Sequence, residues 1–421
     1  MNDYLIIGNS AAATGAIEGI RTVDKKGDIT VLSEEAHLCY SRPLISYFLA
    51  GKVDGGKIIY RGRDFYSKNK VNLHLGSRAI EVDPDKKVVT SEGGREYPYQ
   101  KLLIATGSSP LAPLLKGSGK KGQHFFYNLN DVYHLKENIK EGDSAVVVGG
   151  GLIGLKAAEA LSLKGLKVIV VEKAPYLLSS ILNQVSATIL EERIRKSGIR
   201  VIVNNTVEEI TGTKKVEGVI LGSGERISCT TLVLAAGVKP NTSFLENSGI
   251  PVNRGILVNE KMETQREGVY AAGDVVEGWD PLSENKRVVP IWPAAYCQGL
   301  VAGKNMAGHP MESSGEFPRN SISFFGLNII TAGLLEVNSG EEEIINYNED
   351  KNTYYRVLIK DNRLVGMIKM GDIKEAGVLT WMIKKKMPAG NLKEKLKSGS
   401  LNPVHLPESI RSILYGEEDV K

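Results

Sequence analysis

The fold is decided by Ala145-Val-Val-Val-Gly149-Gly150-Gly151-Leu152-Ile153-Gly154, which leads into an apolar segment that ends at Leu163. A β-branched run, a Gly-x-Gly-x-x-Gly turn and a helix-like run follow one another, and residues 168–172 are strand-like again. This order predicts a βαβ unit. In such a unit the first glycine permits a tight turn, the second lets the backbone approach a pyrophosphate, and the third packs helix against strand. A dinucleotide site at the N-terminus of the helix is therefore predicted.

An acidic residue ends the second strand of this unit. Glu172 lies 23 positions after Gly149. A carboxylate there accepts hydrogen bonds from a ribose 2′-OH and repels a 2′-phosphate, which favours NADH over NADPH. Lys173 leaves NADPH open, because a cation accommodates the extra phosphate. The alternative interpretation is a glycine-rich turn that binds no ligand.

A weaker copy of the pattern opens the chain. The run Gly8-Asn9-Ser10-Ala11-Ala12 follows an apolar strand, and small residues stand at the later glycine positions. Glu34 ends the next predicted strand at a comparable interval. Asp274 follows the strand-like run Tyr270-Ala-Ala-Gly273, where a carboxylate suits the hydroxyls of a sugar alcohol. Two alternatives stay open: the first turn binds nothing, and Asp274 is a helix N-cap.

The composition excludes several classes of protein. A chain of 421 residues is expected to hold more than one core, and 42% hydrophobic with 24% charged residues is typical of a globular protein. A net charge of +4 is too small for a general nucleic-acid or membrane binder. Three distant cysteines and six scattered histidines predict no metal site. With no leader or membrane-spanning run, a cytoplasmic protein is expected.

Three strand ends carry the resemblance to a known family. The motifs Ala105-Thr106-Gly107, Ala235-Ala236-Gly237 and Ala272-Gly273-Asp274 come between and after the two glycine turns. In this order they resemble the FAD/NAD(P)-dependent pyridine nucleotide-disulfide oxidoreductase superfamily, over about residues 1–310. Residues 39–46 and 290–299 are similar to its branch of NADH:rubredoxin reductases, nitrite-reductase flavin domains and NADH-oxidising subunits of anaerobic oxidoreductase complexes.

The resemblance implies an α/β fold with two Rossmann-like, three-layer domains and a C-terminal α+β interface domain. It assigns residues 1–112 and 251–312 to an FAD-binding domain, 113–250 to an NAD-binding domain, and 313–421 to the interface domain with a basic helical tail. A helix opening near Trp292 would aim its positive end at the flavin and stabilise negative charge on the reduced ring. Trp292 as simple core filling stays the alternative.

The resemblance also implies the site residues. For FAD they are Gly8, Asn9, Ser10, Ala11, Ala12, Glu34, Arg42, Pro43, Ile80, Ala105, Thr106, Gly107, Gly273, Asp274, Trp292 and Ala295. For NAD they are Gly149, Gly151, Leu152, Ile153, Gly154, Glu172, Lys173, Ala236 and Gly237.

Two departures from the family pattern bear on which acceptors and which pocket residues are expected. Relatives that work through a single thiol place it where this chain has Pro43, and Cys39 is interpreted as a small core residue rather than a redox thiol. Other relatives have a lysine in place of Tyr47 and a glutamate in place of Lys156, which form an ion pair near the flavin. Tyr47 and Lys156 are therefore possible residues of a remodelled nicotinamide pocket.

The expected function is an NAD(P)H:acceptor flavin oxidoreductase, with NADH preferred, that exchanges electrons with an iron–sulfur protein or complex subunit. One alternative is a stand-alone NADH oxidase or disulfide reductase, and another is a non-catalytic flavoprotein subunit. A homodimer and a hetero-oligomer both stay open. The helix-like basic stretch 380–400 is interpreted either as a docking surface for an acidic partner or as an amphipathic helix packed on its own domain. Residues 341–343, three glutamates, are expected to be a solvated loop.

Overall fold

A computed structural model of the chain describes residues 2–336, 341–399, 401–406, 408 and 411. It divides into two compact units. The first unit contains Met1–Val171 and Asn205–Phe317, and the second contains Glu172–Asn204 and Pro318–Lys421. The α/β fold class is confirmed by the elements of both units.

The strands, in chain order, are β1 Asn2–Ile7, β2 Ile29–Ser33, β3 Val71–Leu75, β4 Ala79–Asp83, β5 Val88–Ser91, β6 Glu96–Ile104, β7 Ser108–Pro110, β8 Gln123–Phe125, β9 Ser144–Val148, β10 Lys167–Val171, β11 Arg200–Ile202, β12 Val207–Thr211, β13 Gly218–Leu221, β14 Arg226–Ser228, β15 Thr231–Leu234, β16 Val238–Pro240, β17 Ile256–Leu257, β18 Val269–Ala271, β19 Val276–Asp280, β20 Asn285–Arg287, β21 Arg319–Phe324, β22 Leu327–Gly333, β23 Glu342–Asn348, β24 Thr353–Lys360 and β25 Arg363–Met370. The helices are α1 Ala11–Val23, α2 Ile45–Leu49, α3 Arg63–Lys68, α4 Leu129–Asn138, α5 Leu152–Leu163, α6 Gln184–Lys196, α7 Trp292–Met306, α8 Ala376–Lys384 and α9 Lys393–Lys397.

The largest sheet of the first unit has the order β3-β2-β1-β6-β5-β4, and β18 also pairs with β6. The strands β3, β2, β1, β6 and β18 run parallel, whereas β5 pairs antiparallel with both β4 and β6. Parallel strands end at the same edge of a sheet, so this edge collects the residues that follow β1, β2, β6 and β18. The last residues of β1 and β6, and all of β2 and β18, are buried, as expected where both faces of a sheet are covered.

A second parallel sheet of the first unit has the order β10-β9-β15-β8. The predicted β9–α5–β10 order is confirmed, with α5 spanning the predicted helix residues. Because β9 and β15 are neighbours, Gly149 and Ala235 follow adjacent strand ends. The glycine motif at 149–154 and the strand end Ala235-Ala236-Gly237 therefore meet at one edge.

Four glycines, Gly15, Gly19, Gly299 and Gly303, lie at a crossing of two helices. A Cβ atom on Gly299 of α7 would lie 2.0 Å from the carbonyl oxygen of Ala12 in α1, and one on Gly303 would lie 2.2 Å from that of Ala16. Across the crossing, a Cβ atom on Gly15 would lie 2.2 Å from the carbonyl oxygen of Tyr296. Only glycine permits such backbone contact, and it brings the start of α1 close to the start of α7.

The second unit contains an antiparallel sheet in the order β21-β22-β25-β24-β23, with α8 packed on β22 and β25. The expected solvated loop at 341–343 is wrong, because Glu342 begins β23. The carboxylates of this run pair with cations: Glu341 with Lys360, Glu342 with Lys393, and Glu343 with Arg356. Ion pairing along the edge strand explains how it tolerates three acidic residues.

The basic stretch 380–400 is not one helix. It contains the end of α8, a break at residues 385–389 and then α9, with Lys386 in the left-handed backbone region at φ 52°. Met382, Ile383 and Leu396 are buried. The apolar residues of the stretch thus pack on their own domain, as the second of the two sequence interpretations has it. Ser400 lies outside the described residues.

Candidate functional site

The first glycine turn lies against the end of β6. Gly8 has φ 114°, and a Cβ atom on it would lie 2.1 Å from the carbonyl oxygen of Ala105. Ser10 is the N-cap of α1, and its side chain makes no capping hydrogen bond. The first N–H groups of α1 are therefore available to an anion, with the positive end of the helix dipole behind them.

Arg42 is held at this edge by groups that the sequence alone did not indicate. Its guanidinium forms an ion pair with Glu35 and donates from Nη1 to the carbonyl oxygen of Tyr127 over 3.2 Å. It also lies 5.0 Å from the centroid of the Tyr127 ring. The Tyr40 hydroxyl donates to Glu35 over 2.6 Å. These contacts fix the orientation of Arg42 beside Pro43 in a short 3-10 helix, Arg42–Leu44.

Asp274 belongs to the same network. Ser108 Oγ lies 2.7 Å from the Tyr127 hydroxyl and donates to Asp274 Oδ2 over 3.4 Å. Burial raises the pKa of Asp274, although Arg42 and the Ser108 hydrogen bond act in the opposite direction. The N-cap alternative for Asp274 is wrong, because a turn and then β19 follow it. A desolvated carboxylate with one long hydrogen bond is suited to donors such as sugar hydroxyls.

The starts of α1 and α7 meet at Gly273. A Cβ atom on Gly273 would lie 3.2 Å from that of Ala12 and 3.5 Å from that of Ala295. Its N–H donates to Gln298 Oε1 over 2.8 Å, a contact that the sequence did not predict. Trp292, the first residue of α7, packs edge-on against Tyr60 with 5.3 Å between ring centroids.

The remaining residues predicted for FAD lie farther apart. Thr106 exchanges hydrogen bonds with Asn241: its Oγ1 donates over 3.0 Å, and its carbonyl oxygen accepts over 2.9 Å. Glu34 is mostly exposed and lies 3.7 Å from Arg78. Ile80 is exposed on β4, and the described contacts do not join it to the other residues.

The second glycine turn has the geometry of the first. Gly149 has φ 109°, and a Cβ atom on it would lie 2.3 Å from the carbonyl oxygen of Ala235. A Cβ atom on Gly154 would lie 1.9 Å from the carbonyl oxygen of Gly149, whereas one on Gly151 would meet nothing within 4 Å. Gly151 thus presents an open backbone at the start of α5, where Leu152 and Ile153 supply the first helical N–H groups.

Other residues predicted for NAD are placed as follows. Ala236 and Gly237 follow β15, and Gly237 has φ 114°. Glu172 and Lys173 belong to the second unit, where Glu172 Oε1 accepts from the Ala174 N–H over 2.7 Å and Lys173 is exposed.

Tyr47 and Lys156 are brought together. The Lys156 ammonium lies 4.8 Å from the centroid of the Tyr47 ring and pairs with Glu159 one turn along α5. The side chains of Lys156 and Glu159 are only 14% and 9% exposed. Glu159 was not predicted from the sequence, although its i,i+3 spacing from Lys156 is a usable signal.

Two family models match the chain in sequence order. The one described as "Pyridine nucleotide-disulphide oxidoreductase" matches residues 2–299, and "Rubredoxin NAD+ reductase C-terminal domain" matches residues 318–387. The chain belongs to the pyridine nucleotide-disulphide oxidoreductase family. It is a flavin oxidoreductase that uses NAD(P)H, and the family cofactors are FAD and NAD.

Three relatives define the branch. The chain is 32% identical over 412 residues to NADH-dependent phenylglyoxylate dehydrogenase subunit epsilon of Aromatoleum evansii, covering 97% of both chains. It is 32% identical to nitrite reductase [NAD(P)H] of Bacillus subtilis, covering 95% of this chain but 49% of that relative. The solved structure of NADH:rubredoxin oxidoreductase from Clostridium acetobutylicum is similar with 27% identity and a TM-score of 0.77, covering 95% of this chain and 99% of that one. The branch expected from the sequence is confirmed.

The sequence departs from relatives that work through a single thiol, so the placement of Cys39 bears on the chemistry. In this chain Cys39 is buried away from solvent. It is 1% exposed, its Sγ lies 3.6 Å from Thr14 Oγ1, and burial raises the pKa of its thiol to about 11. Pro43 is exposed at the start of the Arg42–Leu44 turn. Cys39 therefore packs in the core as a neutral thiol, as the sequence interpretation favoured.

The residues present fit both cofactors of the family. At each glycine turn, strand and backbone atoms exclude a side chain, and uncapped helical N–H groups follow at once. The desolvated Asp274 carboxylate adds an acceptor for hydroxyl groups beside the first turn. Within the described residues, no cluster of histidine, cysteine and acidic side chains could hold a metal ion. Nor does any helix of the described part reach the length and apolarity needed to cross a membrane.

Proposed function

We propose that this oxidoreductase passes electrons between NADH and an iron–sulfur protein or complex subunit by way of FAD. The observation that carries the proposal is the pair Pro43 and Cys39: proline stands at the thiol position, and the nearest cysteine in sequence is buried and neutral. Electrons therefore leave for a different class of acceptor. The NADH-rubredoxin oxidoreductase of Clostridium acetobutylicum supports this assignment, with 29% identity over 88% of this chain and 91% of that one.

The residues assigned to FAD are the sixteen implied by the sequence, together with Glu35, Ser108, Tyr127 and Gln298, which hold Arg42, Asp274 and Gly273 in place. The residues assigned to NAD are the glycine turn 149–154, Glu172, Lys173, Ala236 and Gly237. When bound, FAD accepts a hydride from NADH and can release the electrons one at a time. We retain 1–112 with 251–312 as the FAD-binding part and 113–250 as the NAD-binding part.

The side chains and the backbone of this chain are expected to bind and orient the two cofactors. Asp274 accepts hydrogen bonds from sugar hydroxyls, and the first N–H groups of α1 bind phosphate oxygens. The first turn of α7 directs its positive dipole toward negative charge at the flavin. Lys156, held by Glu159 and covered by Tyr47, keeps a cation in a nearly water-free position on the helix that follows the NAD turn. We further propose a cytoplasmic location, where NADH is supplied and free thiols stay reduced.

Rapid anaerobic mixing tests the proposal. NADH is expected to bleach the flavin absorbance within the dead time or in seconds, and an acidic rubredoxin added afterwards is expected to be reduced and to restore the flavin colour. A flavin that NADH fails to bleach would support the non-catalytic alternative. A reduced flavin that reacts with oxygen or a disulfide at least tenfold faster than with rubredoxin and ferredoxin would support the oxidase or disulfide reductase alternative.

A further inference from the structure

Three helices of the first unit carry a surface of lysines and aromatic rings. We define this lysine–aromatic face by Lys52, Lys136 and Lys164 with Tyr47, Phe48 and Tyr133. Helix α2 packs against both α4 and α5, which brings the three elements together. We propose that this face is the docking surface for an acidic iron–sulfur protein, an inference that rests on the proposed function.

The lysines of the face are placed on aromatic rings rather than paired with carboxylates. The Lys136 ammonium lies 4.0 Å from the centroid of the Phe48 ring, and that of Lys52 lies 5.9 Å from the Tyr47 centroid. Within the described residues, neither lysine forms an ion pair with a carboxylate. A lysine stem packed on a ring loses less rotamer freedom when a partner binds, and its charge stays available.

Two of the aromatic rings pack together, and one of them reaches the surface. Phe48 and Tyr133 pack edge-on with 5.7 Å between ring centroids, and Tyr133 is 39% exposed. Beside them, a Cβ atom on Gly51 would lie 3.3 Å from the Lys164 ammonium. Exposed tyrosine is enriched at protein–protein interfaces, and the lysines around it supply the charge that steers an acidic partner.

Three acidic side chains border the face and do not cancel its charge. The first, Glu141, lies beside Lys164, since a Cβ atom on the adjacent Gly165 would lie 3.5 Å from Glu141 Oε1; one carboxylate against three lysines leaves a net positive charge. Asp54 lies 3.6 Å from Lys57, so these two side chains balance each other. Glu137 follows Lys136 on α4 and therefore points about 100° away around the helix. The net charge of the face is positive, which suits a negatively charged partner and fast, salt-sensitive association.

The face lies directly behind the candidate site. Helix α2 begins at Ile45, three residues after Arg42; α4 begins two residues after Tyr127; and α5 begins at the residue after Gly151. Since α2 has five residues, it adds only about 7.5 Å along its axis. The face begins near the segment that carries Arg42 and extends along α4 and α5 to Lys136 and Lys164, about 10 Å and 18 Å from the first residues of these helices. A partner that covers the face therefore borders the Arg42 segment, where an electron acceptor is expected to bind.

The second basic surface supplies a matched control. Lys384, Lys385 and Lys386 are exposed in the second unit at the end of α8. Replacing three lysines with glutamate on either surface changes the net charge by the same amount. Only the charge change at the lysine–aromatic face is expected to slow electron transfer to the protein acceptor.

The experiment compares wild type, Lys52→Glu/Lys136→Glu/Lys164→Glu and Lys384→Glu/Lys385→Glu/Lys386→Glu, each with full FAD content. The acceptor is an acidic rubredoxin at low ionic strength, and ferricyanide serves as a small acceptor that needs no docking surface. For the face variant, kcat/KM for rubredoxin is expected to fall at least tenfold and to lose its salt dependence, while the ferricyanide rate stays within twofold. The control variant is expected to stay within twofold of wild type for both acceptors.

A neutral variant, Lys52→Gln/Lys136→Gln/Lys164→Gln, guards against folding defects and is expected to lose about threefold or more of the rubredoxin rate. If wild type reduces rubredoxin and both face variants match it, or if the control variant loses as much, the docking proposal is overturned and the proposed function stands. If wild type reduces ferricyanide with NADH but neither rubredoxin nor an acidic ferredoxin, both proposals are overturned.

Discussion

Replacing Gly299 with alanine is expected to push α1 and α7 apart. The new Cβ atom would lie 2.0 Å from the carbonyl oxygen and 2.9 Å from the Cα atom of Ala12. Both are backbone atoms of a buried helix, so no flexible side chain can move aside. The helices would have to separate by about 1.4 Å before the contact reached the ordinary distance of 3.4 Å.

The cost is estimated from overpacking. Forcing a methyl group into a close-packed core costs roughly 1–3 kcal/mol. Because the new methyl group would meet backbone atoms of Ala12, which cannot rotate away, the cost is expected near the upper end of this range. The intrinsic gain of alanine over glycine in a helix, about 1 kcal/mol, offsets only part of that cost. A net loss of about 2 kcal/mol lowers the melting temperature by roughly 2–3 °C in a chain of 421 residues. Because Ala12 and Ala295 flank Gly273 at the same crossing, FAD is expected to bind at least tenfold more weakly.

Thermal release of flavin fluorescence and the FAD content per chain measure both effects. The matched control is Gly377→Ala in α8, where the new methyl group would meet nothing within 4 Å. That variant is expected to melt at the wild-type temperature or slightly above it. A Gly299→Ala protein with full FAD content and a wild-type melting temperature would refute the helix-crossing interpretation.

Three further expectations concern single residues. Cys39→Ser is expected to keep the rates of flavin reduction by NADH and of rubredoxin reduction within twofold, because the thiol is buried and neutral; a tenfold loss in stopped-flow traces would show a redox role. Glu172→Ala is expected to lower kcat/KM for NADH about tenfold and to raise that for NADPH, measured in parallel assays; unchanged preference would remove Glu172 from the NAD site. In the FAD-free protein, Asp274 has a raised pKa and so binds a proton more tightly in the folded state than in the unfolded state. The free energy of unfolding is expected to fall as pH rises through the interval between its ordinary and its raised pKa, and Asp274→Asn should flatten this slope in urea titrations; a wild-type slope in that variant would contradict the assignment.

The sequence predicted those parts of the fold that glycine and strand periodicity mark. Helix α5 and strand β2 have the predicted bounds, because a glycine turn or a polar cluster closes each apolar run. The helix crossing was also readable, since Gly15 and Gly19, and likewise Gly299 and Gly303, are four residues apart and share a helix face. Only glycines at the strand ends and turns were interpreted from the sequence, and these four were not.

The parts that were missed depend on contacts between distant residues. Ser108 and Asp274 are 166 positions apart, and no local pattern links them. Glu34 and Glu35 are adjacent, so composition cannot say which one turns inward to Arg42 and which one faces solvent near Arg78. The break in the basic stretch arises at Lys386, an exposed non-glycine residue in the left-handed region, where the Met387 N–H donates to the carbonyl oxygen of Met382 and closes α8.

The crossing of α1 and α7 also sets the order in which the nascent chain can mature. The strands of the second parallel sheet lie within residues 123–234, so that sheet can assemble before the sequence of α7 has been translated. Helix α1 is synthesised roughly 270 residues before α7, the helix on which it packs. Synthesis of the intervening residues takes on the order of 15–50 s at ordinary elongation rates. During that interval the alanine- and glycine-lined surface of α1 is not yet covered by α7. Cofactor loading is thus a late event in biogenesis, completed near the end of synthesis.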